Sequence, residues 1–315
     1  MATILPNNKI KVVVVGGYNA DLLVTCSQLP TAGRVFMGGP MQIFGGGRGA
    51  NMAVGAARAG CDVTFVGACG RDGFGGMARG LLSNERINLE FFSELPHVNT
   101  GTALILMEAS TGRNMIMVAE SANSQVTPEM IHRARSAIKA ADLVFAEVEM
   151  RAETTWETMR ICEEYNVPFV LDASPCQRTI PLPPNRMLAI VLEEAELPSV
   201  IGTSDVPKGI AELHQRGCQN VVITEGTERI IYSDGESCLT TPVPAAKLVD
   251  RCGAIECLDV WIGLGLLRKL PMADICQTAA AAMAFSLGHM GGQRGMPTQS
   301  DVAAIMSSNA AISTR

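Results

Sequence analysis

The sequence predicts an α/β fold in which a largely parallel sheet is covered on both faces. Short, nearly continuous β-branched runs recur along the chain, and helix-length segments separate them. Gly-rich turns follow strand candidates, which is where open α/β sheets bind ligands. Six core strands are expected: 11–15 (KVVVV), 63–68 (VTFVGA), 143–148 (LVFAEV), 169–172 (FVLD), 189–192 (AIVL) and 221–224 (VVIT).

Helices fall between these runs. Residues 50–58 form one of small residues, entered through Gly49 and stopped at Gly60. A second opens at Thr127, with Pro128 at the first helical position and Glu129 in the first turn. Its apolar stripe is Ile131, Ala134, Ala137, Ile138 and Ala141. A third covers 154–165 with Trp156, Met159 and Cys162 inward, and an Ala-rich one covers 278–287. The stretch VDRCGAIECLDVWIG, 249–263, reads as a loop, a small-residue turn and then a helix. Two segments break the rhythm. Residues 34–44 and 102–118 read as strands with polar or exposed faces, the second a hairpin turning near Gly112. An edge hairpin, a lid and a dimer clasp all remain open for them.

Composition narrows the function. The 315 residues are 47% hydrophobic and 4% aromatic with 31 glycines, which suits a large core built by tight helix-on-sheet contact. A net charge of −6 without any Lys/Arg run argues against nucleic acid and anionic membranes as partners. Ten cysteines, Cys176 among them, include no C-x-x-C pair, so free thiols are expected and zinc or a disulfide framework is not. The N-terminal stretch lacks a signal-peptide pattern and VVVV is too short to span a bilayer, so a soluble cytoplasmic protein is expected.

Chemistry-bearing residues fall in two groups. In GGYNADLL, Asp21 can accept hydrogen bonds from polyol hydroxyls and Asn19 can add a donor and an acceptor; an Asx turn is the plainer alternative. In FGGGRGANMAVGAARAG, Gly45, Gly46, Gly47 and Gly49 bare the backbone amides beside Arg48, and Asn51 follows in the first helical turn. In the C-terminal half, Glu256 stands at a helix start, where N–H groups and a carboxylate suit phosphate chemistry.

With these motifs the chain resembles the ribokinase-like (PfkB) carbohydrate kinases. Gly46, Gly47, Gly49, Asn51, Ala53, Gly60 and Gly70 match their first signature; GGYNAD, the SAN at 121–123 and the AEVE at 146–149 are also similar. The resemblance implies a ribokinase-like three-layer α/β/α sandwich, one domain over 1–315, with a small β-strand lid from about 34–44 and 102–118 that commonly forms a homodimer. It implies that Asn19, Asp21, Gly46, Gly47, Arg48, Asn51 and Glu149 bind a sugar or nucleoside, Arg48 standing where ribokinase has lysine. It further implies ATP and Mg²⁺ near Glu193, Glu196, Thr224, Gly226 and Thr227, and a monovalent cation near Asp250. Glu256 is then the base, and Gly253, Ala254 and Ile255 form the anion hole.

Several positions depart from the family pattern. Its GAGD turn reads Gly253-Ala254-Ile255-Glu256 here. Glu is one methylene longer than Asp, and a displacement of about 1 Å can cost about 10²-fold in rate. Ile255 replaces a glycine that would ease phosphate approach. Glu193 stands for an Asn, Arg229 for a glycine of the nucleotide loop, and Arg251 for the Thr after Asp250. Glu193, Glu196, Glu225, Glu228 and Glu256 are expected to converge on the donor side, with Arg229 and Arg251 pairing with them and partly closing it; a solvated rim is the alternative for Glu225 and Glu228. Asp259 is expected on a solvated helix face and His289 in a structural role. Two functions follow: ATP-dependent phosphorylation of a sugar or nucleoside hydroxyl, or a catalytically silent relative that binds a polyol, a nucleoside or a protein partner.

Overall fold

A computed structural model describes residues 9–175 and 187–313; Cys176 and residues 1–8 of the N-terminal stretch lie outside them. The strands are β1 (Lys11–Val15), β2 (Asn19–Cys26), β3 (Gln42–Gly46), β4 (Asp62–Gly70), β5 (Phe92–Leu95), β6 (Gly101–Glu108) and β7 (Asn114–Ala119). They continue as β8 (Leu143–Glu147), β9 (Phe169–Asp172), β10 (Ala189–Glu193), β11 (Val221–Glu225), β12 (Arg229–Ser233) and β13 (Cys238–Pro242). The α-helices are α1 (Arg48–Arg58), α2 (Gly73–Asn84), α3 (Pro128–Arg133), α4 (Arg135–Lys139) and α5 (Ala152–Tyr165). Then come α6 (Leu197–Ile201), α7 (Val206–Gln215), α8 (Ala254–Leu267), α9 (Met272–Leu287) and α10 (Gln299–Ser313).

The large sheet runs β13-β12-β11-β10-β9-β8-β1-β4-β5. From β11 to β5 every neighbouring pair is parallel, and β12 and β13 are added antiparallel at one edge. Buried β-branched residues face both ways, as strands covered on two sides require. Val12, Val14, Phe65, Phe145 and Val191 pack with α1, α2, α8 and α9 on one face. Val13, Val15, Val144, Leu171 and Ile223 pack with α3 to α7 on the other. This is the expected three-layer α/β/α sandwich.

A second sheet, β3-β2-β6-β7, leaves the first through the turn after β1. Leu23, Phe44, Ala103, Ile105 and Met107 form its small core. Its other face exposes Ile43, Leu104 and Met117, and cross-strand register joins them in one row with Leu22.

Four expectations need correction. The strand expected over 34–44 begins only at Gln42, and 34–41 make no ladder. Asn19 and Asp21 sit on β2, not in a turn, because Asn19 through Cys26 pair in parallel with β6. The helix opened by Thr127 breaks at Ala134 (φ −84°, ψ 1°) into α3 and α4. In α5, Met159 and Cys162 are buried as expected, but Trp156 is half-buried while Thr154, Thr155 and Thr158 go inward.

Candidate active site

Four neighbouring parallel strands end in acids: Glu147 on β8, Asp172 on β9, Glu193 on β10 and Glu225 on β11. Glu147 and Asp172 are direct register partners. The first turns of α1 and α8 meet this acidic edge, and β2 closes one side.

On β2, Asn19 and Asp21 share a face because side chains repeat every second residue. Both are buried. A Cβ on Gly46 would run into the Asp21 carboxylate, so that glycine keeps the space open. Asn123 fixes Asn19: its Nδ2 donates to Asn19 Oδ1 at 2.9 Å and to the Tyr18 carbonyl at 3.1 Å, while its Oδ1 accepts the Tyr18 N–H at 3.1 Å. Burial, then the charges of Glu256, Asp250 and Glu149, push the Asp21 carboxyl up to about 7.

The AEVE segment divides its labour. Glu147 is fully buried; its Oε1 accepts the Gly17 N–H at 2.9 Å and its Oε2 accepts the Glu149 N–H. It therefore pins the turn that leads into β2. Glu149 is partly buried; burial raises its pKa, the Arg48 charge opposes this, and Glu256 adds to it.

Gly253 caps α8 in the left-handed region (φ 84°), a conformation that favours glycine. Ile255 already lies inside the helix, 8% exposed, and its bulk belongs to the core shared with α1 and α9. The glycine that the backbone needs is thus retained at 253, and Ile255 satisfies the core. The N–H groups of Ile255 and Glu256 have no backbone acceptor among the described residues, as the first turn of a helix leaves them.

Glu256 is buried. Its Oε1 accepts from Asn51 Nδ2 at 3.2 Å and lies 3.9 Å from Arg48 Nη1. Its Oε2 takes no hydrogen bond among the described residues. Arg48 is held by Asp172, whose Oδ2 is 2.7 Å from Nε and 2.5 Å from Nη2. Asp259 is fully buried, which corrects the solvated face expected for it. From Ala254 to Gly265 every residue of α8 is buried, so no solvent-facing side exists there. Burial and the neighbouring Asp172 carboxylate hold Asp259 far above the usual carboxylate range.

Beside Glu225, Thr224 is the next-to-last residue of β11, and its buried hydroxyl has no partner among the described residues. Gly226 (φ 55°) and the half-buried Thr227 follow in the β11–β12 turn. Glu193 is raised by burial; Arg48 opposes, and the charges of Glu196 and Glu256 add. These three acids therefore share a field. Glu225 pairs with Arg229, as expected, within the hairpin, and Glu228 is exposed beside it. Arg251 is exposed and its charge reaches Glu193, with no ion pair between them among the described residues. Asp250 fixes the turn before α8: Oδ1 accepts the Cys252 N–H at 3.0 Å and Oδ2 the Gly291 N–H at 2.9 Å. His289 stacks on Phe285 and bonds its carbonyl, a structural role.

Sequence reasoning missed Glu147 and Asp172. Each is the last letter of an apolar strand, LVFAE and FVLD, and that position was the available signal.

The chain matches the pfkB family carbohydrate kinase over residues 9–299. It is 30% identical over 302 residues to a ribokinase of Bacillus subtilis, covering 93% of this chain and 98% of that one. It is 29% identical over 305 residues to a ribokinase of Mus musculus, covering 92% and 93%. The fold is similar to that of Arabidopsis thaliana ribokinase solved with ribose and ATP, at a TM-score of 0.85 and 23% identity, covering 95% and 98%. Thermotoga maritima ribokinase superposes at 0.83 with 22% identity, covering 95% and 100%. The chain belongs to the pfkB family of carbohydrate kinases, with the ribokinase-like fold.

Proposed function

We propose that this chain transfers the terminal phosphoryl group of ATP to a hydroxyl of a small sugar, with ribose the first acceptor to test and nucleosides next. The observation that carries the reading is the setting of Glu256. One of its oxygens is tied to Asn51, the other takes no hydrogen bond among the described residues, and its charge reaches Asp21. The proposed base thus stands close enough to the proposed polyol-binding carboxylate for their charges to interact.

In this reading Asn19, Asp21, Asn51 and Glu149 orient the acceptor, with the glycine backbone at 46 and 47 beneath it. Glu256 takes the proton of the attacking hydroxyl as that oxygen bonds to phosphorus, a role that contributes about 10²–10⁴-fold. The open N–H groups of Ile255 and Glu256, in the first turn of the helix capped by Gly253, would donate hydrogen bonds to phosphoryl oxygens, while the Ala254 N–H already bonds the Arg251 carbonyl. Nucleotide would be held along 224–227. Those residues fit it: a Cβ on Gly226 would meet nothing within 4 Å, and Thr224 has a spare buried hydroxyl. Glu193 and Glu196 would hold Mg²⁺ largely through water, and the ion neutralises phosphate charge when bound. Asp250 keeps lone pairs for a monovalent cation beside the two N–H groups it accepts.

The silent alternative rested on Ile255, Glu256 and a donor side closed by Arg–Glu contacts. Burial of Ile255 in the core, and an Arg229–Glu225 pair confined to the hairpin, support the transferring reading instead. The β3-β2-β6-β7 sheet would serve as a lid, and its exposed apolar row as a homodimer clasp. The nine described cysteines are free, which suits a reducing cytoplasm. Among the described residues no helix is long and apolar enough to cross a membrane. The test is ADP release from Mg·ATP over a panel of ribose, deoxyribose, fructose and nucleosides. Turnover with one of them is expected. Acceptor binding by calorimetry with no ADP from any of them would restore the silent reading.

A further inference from the structure

Asp259 is the buried acid that the proposed transfer leaves without a task. Neither of its oxygens finds an N–H or O–H donor among the described residues. Its carboxyl lies within hydrogen-bond reach of Asp172, which is equally sealed. Asp172 is already occupied: Oδ1 accepts the Ser174 N–H at 3.1 Å, and Oδ2 faces Nε and Nη2 of Arg48. One guanidinium cannot neutralise two touching buried carboxylates and Glu256 besides. Carboxylates in contact resolve this by retaining a proton between them. Asp259 then keeps its O–H and donates it to Asp172, Asp172 remains anionic, Arg48 remains cationic, and the trio is neutral.

The consequence falls on Glu256. Arg48 is the first residue of α1, so its backbone is fixed and only its side chain can choose a partner. Asp172 holds the Nε–Nη2 edge; Nη1 is left 3.9 Å from Glu256 Oε1, at the outer limit of an ion pair. A carboxylate paired directly with a guanidinium is a poorer base. The charged groups that also face Glu256 are Asp21 on β2, Glu149 after β8, Glu193 on β10 and Asp259 one turn along its own helix.

We propose that Asp172 and Asp259 are positioning residues that share one proton and hold Arg48 off Glu256, so that Glu256 stays a base instead of becoming a salt-bridge partner. The inference rests on Glu256 being the base of the proposed transfer.

Asp172→Asn removes the anion that holds Arg48. The guanidinium then moves onto Glu256: kcat falls about 10²-fold, the lower end of what a general base contributes. The acid limb of the kcat–pH profile shifts to lower pH, because Arg48 now stabilises the Glu256 carboxylate. KM for the sugar changes far less. A purely structural role for Asp172 would lower stability without moving that limb. Asp259→Leu removes the donor and costs about tenfold in kcat, and Asp259→Asn, which restores a neutral donor, recovers most of the loss. Infrared difference spectra of the intact protein at pH 8 should show a protonated carboxyl that persists in Asp21→Asn and disappears in Asp259→Asn. An unmoved acid limb in Asp172→Asn, no recovery in Asp259→Asn, or the absence of that carboxyl signal would overturn the proposal. If the wild type phosphorylates no acceptor, the kinase reading fails, and the infrared signal still decides whether the carboxyl pair exists.

Discussion

Replacing Ile255 by glycine would restore the residue that close phosphate approach favours, yet it should harm the protein. Ile255 is 8% exposed and packs in the core between α1, α8 and α9. The left-handed backbone position of the turn is Gly253, which the substitution leaves alone. Cutting a buried isoleucine to alanine size costs about 2–5 kcal/mol. Glycine in a helix costs about 1 kcal/mol more than alanine. The sum, about 3–6 kcal/mol, corresponds to a fall of about 6–12 °C in Tm at roughly 2 °C per kcal/mol for a chain of this size. Thermal unfolding followed by circular dichroism would measure it, alongside kcat and KM for ATP at a temperature where the variant remains folded. The expected kcat stays within about threefold of wild type, below the tenfold that 1.36 kcal/mol of barrier represents. A variant that keeps its Tm and gains about tenfold or more in kcat would show that the isoleucine intrudes on the phosphate site, and the reasoning would be wrong.

Four further outcomes follow. The Asp21 carboxyl is raised from 3.8 to about 7, so its favourable contribution is complete below 3.8 and is lost as pH climbs to about 7; the wild type should lose about 4 kcal/mol relative to Asp21→Asn over that window, read by denaturant titration at a series of pH values. A flat difference between the two proteins would contradict it. Asn123→Ala breaks three buried hydrogen bonds around Asn19 and should cost about 2–4 kcal/mol while raising acceptor KM; an unchanged KM would detach Asn19 from the acceptor. Met117 is 72% exposed in the apolar row of the second sheet, so Met117→Glu should turn a dimer into a monomer in sedimentation velocity, and a monomeric wild type would remove the clasp. The fourth is a slowed phosphoryl transfer in Glu256→Gln.

Much of the fold was legible because its signals are local. KVVVV, FVLD and VVIT read as buried strands on composition alone, and small residues after Gly49 read as a helix pressed on a sheet. Burial of α8 was not legible, since its 14 residues mix Glu256 and Asp259 among apolar ones, and helical spacing placed Asp259 one turn from Glu256 without saying what covers it. Only the partner Asp172, 87 positions earlier by number, explains why an acid tolerates that interior. The turn reading of Asn19 and Asp21 failed for a similar reason: β2 exists because β6 pairs with it, a contact across 82 positions. Asn51 and Asp21 lie in motifs legible in the sequence; in the fold Asn51 bonds Glu256, and the charge of Glu256 acts on Asp21. Of the five glutamates expected to converge, Glu193, Glu196 and Glu256 feel one another's charge, while Glu225 and Glu228 lie on the β11–β12 hairpin.

Glu256→Gln keeps the size and the hydrogen bond from Asn51 but cannot take a proton. Single-turnover phosphoryl transfer to ribose, with ribose and Mg·ATP affinities measured on the same preparations, tests the proposed role most directly. The account predicts affinities within about threefold of wild type and a transfer rate lower by about 10²-fold or more. A variant that transfers phosphate as fast as the wild type would contradict it.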